Sequence, residues 1–132
     1  MRIHHGEVVK WIDGDTVDVK VDLGFDVWTF QRFRLARIDA WELKGSERPK
    51  GLIAKAWVQT HIPSGSQVKI MPIELGVYRR WIAEIETEKH GNVNDHLLEL
   101  GHAKPYRKKK QKRTWDAAKL GWPLFLRMPS QN

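Results

Sequence analysis

Residues 15–22 read Asp15-Thr16-Val17-Asp18-Val19-Lys20-Val21-Asp22, with polar and apolar side chains alternating at period two. That is the pattern of a half-buried strand, and the segments on either side repeat it. Gly6 to Ile12 reads as a strand, and Asp13-Gly14 is a turn signal between the two. Gly24 marks the next turn, and residues 27–38, rich in aromatic and β-branched side chains, read as a third strand. The three make a meander. A polar loop follows over 39–48, and Pro49 suits a first helical position. Leu52, Ile53, Ala56, Trp57 and Val58 give that helix an apolar stripe, which Pro63-Ser64-Gly65 ends. Residues 66–73 and 77–86 read as two more strands, with Pro72 marking an edge or a strand end. His90-Gly91-Asn92 is a turn, Asn94 caps a short helix through Leu100, and Gly101 stops it. Residues 114–120 are weakly helical before Gly121 and Pro123. Five strands with a helix after the third predict an α+β chain, mainly β: a five-stranded OB-type Greek-key barrel with two or three helices.

With 132 residues the chain is of single-domain length and buries enough surface to fold without a staple. It has no cysteine, so any metal must be held by oxygen or imidazole. No stretch is long and apolar enough for a membrane span, and no apolar leader follows Met1. The expectation is a cytoplasmic protein, with a secreted form left open. The net charge of +7 is uneven: residues 104–132 carry nine Lys/Arg against Asp116 alone, while residues 1–103 are close to neutral. The boundaries expected are therefore a barrel domain over 1–106 and a basic tail over 107–132, with a short helix that packs on the same domain. The run Arg107-Lys108-Lys109-Lys110-Gln111-Lys112-Arg113 suits a polyanion, where it would track backbone phosphates without reading bases.

The chemistry gathers earlier in the chain. Residues two apart on a strand share a face, so Asp13 and Asp15 can point the same way. Asp39 follows the third strand, which neighbours the second, so Asp15 and Asp39 can meet. Carboxylates in contact repel unless a cation or proton lies between them, and oxygen-only ligation suits calcium, magnesium or manganese. Turn-forming, solvated aspartates are the plainer alternative for Asp-Gly-Asp-Thr alone. Glu42 lies three residues after Asp39, placed to orient or deprotonate a water. Arg34 and Arg80 sit among apolar neighbours on strands, and a guanidinium fork matches phosphate oxygens two at a time. Tyr78 and Tyr106 are candidate stacking platforms for a base or sugar, or else ordinary barrel tyrosines.

Three stretches carry a resemblance: Val9 to Val17, Phe33 to Glu42, and Tyr78 to Ala83, continued by Asn92-Val93-Asn94 and Leu97 to Lys104. In this order they resemble the staphylococcal nuclease (thermonuclease-like) family over roughly residues 6–106. The resemblance implies a nuclease dependent on one calcium ion, cutting DNA and RNA to leave 3′-phosphates, with single strands preferred and a monomer as the working unit. It implies Asp15, Asp39 and the carbonyl of Ala40 as metal ligands. Glu42 would act on the water, and Arg34 and Arg80 on the phosphate. Beside these, Tyr78, Tyr106 and Arg79 are the expected substrate contacts on the reading of the residues themselves. Two positions depart from the pattern. Ala40-Trp41 stands where Thr-Pro is usual, which removes a hydroxyl and a loop stiffener. Arg79 replaces the glycine that commonly precedes the second arginine. The competing expectations are a non-catalytic OB-type module that binds nucleic acid, and a purely structural domain.

Overall fold

A computed structural model describes residues 2–106. The basic run at 107–113 and the weak helix at 114–120 lie outside the described residues. Strands β1 (His4–Asp13), β2 (Thr16–Asp22) and β3 (Trp28–Leu35) form the expected antiparallel meander. Strands β4 (Ile38–Ala40), β5 (Gln67–Leu75), β6 (Trp81–Thr87), β7 (Gly91–Asn92) and β8 (Ala103–Pro105) follow, with helices α1 (Arg48–His61) and α2 (Val93–Glu99) between them. The main sheet runs β3-β2-β1-β5-β6-β7, and β6 returns to β3 in parallel through Phe33↔Trp81, Arg34↔Ile82 and Leu35↔Ala83. That pairing closes a five-stranded barrel and confirms the fold class. Among the described residues no helix is long and apolar enough to cross a membrane.

The alternation seen in β2 is the reason the barrel fills. Val17, Val19 and Val21 point inward with Phe33 and Leu35 of β3, while Asp18, Lys20 and Asp22 face out. Val58 and Ile62 at the end of α1, with Val93 and Leu97 of α2, join the same core. Each such side chain contributes roughly 1.5–3 kcal/mol by leaving water.

Four expectations need correction. The stretch 27–38 is not one strand: Arg37 takes a left-handed backbone (φ 68°) and breaks it, so that β4 leaves the barrel and pairs with β8. The second late strand begins at Trp81 rather than 77, because Tyr78 and Arg79 are both left-handed (φ 59° and 57°) and Gly76 N–H closes the turn on Arg80 O at 2.8 Å. The buried face of α1 is Gly51, Ala54 and Val58, whereas Leu52 and Ile53 are exposed. Small residues let α1 approach the Asp13-Gly14 turn: a Cβ on Gly14 would lie 3.2 Å from Ala54 Cβ. Finally, Asn92, not Asn94, caps α2, accepting from Asp95 N–H at 2.8 Å. Asn94 is fully buried instead; it donates to Ala36 O (2.8 Å) and Ala83 O (3.2 Å) and accepts from Ile85 N–H (3.1 Å). Pro72 agrees with the sequence: it lies beyond the β1 pairing, which ends at His4↔Ile70, beside a bulge against β6.

Candidate active site

The β1–β2 turn, the end of β3 and the β4–α1 loop meet at one side of the barrel. They enclose a cleft of about 360 Å³ lined by Asp13, Asp15, Arg34, Asp39, Ala40, Trp41, Glu42, Leu43, Lys44 and Arg80. All four acidic residues singled out in the sequence therefore share a cavity with both arginines. Register explains part of this. Thr16 is opposite Arg34 across β2–β3, which sets Asp15 beside the guanidinium.

Asp15 is buried (7% exposed) and well held. Its Oδ2 accepts from Ala40 N–H at 2.9 Å and its Oδ1 from Thr16 Oγ1 at 3.0 Å. Burial pushes its carboxyl up, but hydrogen bonding with Asp13 and Ala40 and the charge of Arg34 outweigh burial, so it lies below its ordinary value. Asp13, whose Oδ1 accepts from Asp15 N–H at 3.0 Å, is pushed up to about 6, first by burial and then by Asp15. The pair divides the work as crowded carboxylates do: one keeps the charge and the other takes the proton more readily.

Arg34 is a gripped side chain. Its Nη2 lies 3.6 Å from Asp15 Oδ2 and 3.4 Å from Asp39 Oδ1, and its Nη1 donates to Ile38 O (3.0 Å) and Leu35 O (3.2 Å). The guanidinium also lies over the Tyr106 ring, 4.8 Å from its centroid. Two carboxylates thus already converge on one cation. Asp39 is the accessible member, with 42% of its side chain exposed. These donors suit a hard cation, as oxygen ligands do. Among the described residues, however, no three Asp, Glu, Cys or His groups stand close enough to enclose an ion. An ion here would draw on Asp15, Asp39 and a backbone carbonyl such as that of Ala40, with water completing its shell.

Arg80, just before β6, also lines the cleft. Its Nε is buried and has no hydrogen-bond partner among the described residues. A buried donor without an acceptor is costly, and an anion entering the cleft would satisfy it. Glu42 is exposed, and its backbone N–H donates to Glu47 Oε1 at 3.0 Å. The loop has lost the proline of the pattern, but Trp41 ties it down. Its indole Nε1 donates to Gly101 O at 3.0 Å, and Lys50 and Lys104 lie over the ring at 4.4 and 5.1 Å. Gly51 packs under the same loop.

The proposed substrate contacts are placed apart. Tyr78 and Arg79 line a larger groove of about 690 Å³, and Tyr106 lines a cavity of about 400 Å³ with Arg34. Arg80 borders all three cavities. The sequence reading missed Lys44, Glu47, Gly51 and Thr16. Thr16 adjoins the Asp-Gly-Asp turn and could have been noticed; the others act through distances that spacing does not encode. The second arginine of the Phe33–Glu42 stretch, Arg37, is bound outside the cleft to Glu84 (2.8 and 2.7 Å) and Asp95 (2.7 Å).

The six histidines, which show no metal spacing in the sequence, are not all scattered. His61, His90, His96 and His102 surround Trp57 at centroid distances of 4.4–5.8 Å.

A family model described as "Staphylococcal nuclease homologue" matches residues 32–121. No curated protein matches the chain.

Proposed function

The chain belongs to the family of staphylococcal nuclease homologues, and on that premise we propose that it is a calcium-dependent nuclease. It would hydrolyse phosphodiester bonds of DNA and RNA, prefer single strands and leave 3′-phosphates. The membership itself gives the broader statement: a nuclease or nucleic-acid-binding function. The finer reading is carried by one observation: Arg34, Arg80 and the carboxylates Asp15, Asp39 and Glu42 line a single cleft.

A phosphodiester resists water because negative charge builds on a group that is already anionic. The catalysis required is of order 20 kcal/mol for the slowest such reactions. The cleft offers the matching parts. Arg80 Nε, without a partner among the described residues, would donate to a phosphate oxygen. Arg34, whose Nη2 faces Asp15 and Asp39, would reorient toward the same phosphate and add positive charge against the oxyanion. Glu42, exposed at the cleft rim, would accept the proton of the attacking water. A bound calcium ion would supply further positive charge against the oxyanion.

The test is incubation with a single-stranded oligonucleotide in calcium or in chelator. Fragments in calcium alone, and a loss of about 10²–10⁴ in rate for Glu42→Gln, are expected. Binding without cleavage under both conditions would leave only a binding module.

A further inference from the structure

The strand that carries Arg34, β3, presents a second set of side chains on the same face. Alternation puts Arg34, Arg32, Phe30 and Trp28 of β3 on the outer face, while Phe33 and Leu35 fill the core. Across the hairpin, Arg32 stands opposite Asp18, Phe30 opposite Lys20, and Trp28 opposite Asp22. Phe30 is 68% exposed and Trp28 38%. Trp28 carries Lys20 Nζ over its ring at 4.6 Å. The groove of about 690 Å³ lies between Phe30 and Arg32 on one wall and Tyr78, Arg79 and Arg80 on the other. Arg80 borders both this groove and the acidic cleft, so the two adjoin at that side chain. Two carboxylates on the hairpin face are engaged: Asp18 by Arg32 at 2.7 Å, and Asp22 by Gly24 N–H at 2.7 Å. Lys20, Arg32, Arg79 and Arg80 leave the surface cationic.

We propose that the outer face of the β2–β3 hairpin binds the nucleotides flanking the scissile phosphate of a single strand, with bases stacking on Phe30 and Trp28 and phosphates meeting Lys20, Arg79 and Arg80. From Trp28 to Arg34 the strand runs about 20 Å at the usual rise, room for a few extended nucleotides. A duplex keeps its bases stacked on one another and has none to offer these rings, so the face selects unpaired strands. The inference rests on the reading of the cleft as a nucleic-acid site.

The experiment is fluorescence anisotropy in chelator, with a labelled oligothymidylate of about twelve nucleotides and a labelled dinucleotide as probes. Phe30→Ala should weaken binding of the long probe about tenfold, and adding Trp28→Ala should weaken it further. Phe30→Trp should bind as the parent does. The dinucleotide affinity and its cleavage rate in calcium should not change. Because Phe30 is exposed, circular dichroism and melting temperature should match the parent. Unchanged affinity for the long probe, equal losses on both probes, or a shift in self-association by sedimentation in place of any loss would overturn the proposal. The two readings fail separately: a protein that never cleaves but loses long-probe affinity on Phe30→Ala sinks the nuclease and keeps the hairpin face. A protein that cleaves while Phe30→Ala binds normally does the reverse.

Discussion

Gly51→Ala should cripple catalysis without touching any reactive group. Gly51 is buried on α1, beneath the loop that carries Glu42. A methyl group there would meet the Glu42 carbonyl oxygen and would lie 2.8 Å from both Glu42 C and Trp41 O. Carbon contacts settle near 3.5 Å, so loop and helix must separate by at least about 0.7 Å. Displacements near 1 Å at a reacting group cost on the order of 10² in rate. Stability should fall by no more than about 2 kcal/mol. Overpacking costs about 1–3 kcal/mol, while replacing glycine by alanine within a helix returns about 1 kcal/mol. The assay is steady-state cleavage of a short single-stranded oligonucleotide in saturating calcium, with a thermal melt alongside. The expected result is kcat down about a hundredfold, KM nearly unchanged, and a melting temperature within a few degrees of the parent. Parental kcat in a folded Gly51→Ala protein would show that the position of Glu42 does not limit the reaction.

Three further outcomes follow from the same geometry. Arg34→Lys keeps the charge but cannot span Asp15, Asp39 and the two carbonyls at once; turnover should fall by about 10²–10³, and parental kinetics would remove Arg34 from the mechanism. Asn94→Ala leaves Ile85 N–H and Ala36 C=O unpaired in the core, so denaturant titration should show about 3 kcal/mol lost; a loss under 1 kcal/mol would mean that water replaces the amide. For pH, His90 and His102 lie below the ordinary imidazole value of 6.5, chiefly through burial; His96 and Lys89 push His90 further down against a raising hydrogen bond with His61, and His61 and His96 push His102 down. Depressed imidazoles stabilise the fold above about pH 6.5 and lose that contribution as pH falls. Asp13, raised to about 6, works in the opposite sense, favouring the fold as it takes up its proton. The difference between parent and His90→Gln isolates the His90 imidazole: between about pH 7.5 and 5.5 the parent's melting temperature should fall more steeply, and equal slopes would refute the His90 contribution.

The barrel was legible because β2 alternates cleanly and because glycine and proline punctuate the strands. Boundaries failed where backbone conformation overrode side-chain pattern. Arg37, Tyr78 and Arg79 are ordinary strand residues by composition, yet all three are left-handed. The glycine usual before the second arginine thus has a conformational reason, since φ at Arg79 is 57°. The face of α1 was misread because apolar content pointed to Leu52 and Ile53, while close approach to the Asp13-Gly14 turn demanded small Gly51 and Ala54. Spacing along the chain brought Asp15, Asp39, Glu42 and the two arginines forward as candidates, and all five line one cleft. It did not show Arg34 lodged between two carboxylates, because that contact depends on the β2–β3 register and on β4 leaving the barrel. Nor could it gather His61, His90, His96 and His102 around Trp57, since they come from separate parts of the chain.

The most direct measurement is a crystal structure with calcium and a phosphorothioate dinucleotide. The account predicts one ion within about 2.3–2.6 Å of oxygens from both Asp15 and Asp39, with Arg34 and Arg80 turned onto a single phosphate. An ion bound elsewhere, or Arg34 still held between the two aspartates with the phosphate in place, would contradict it.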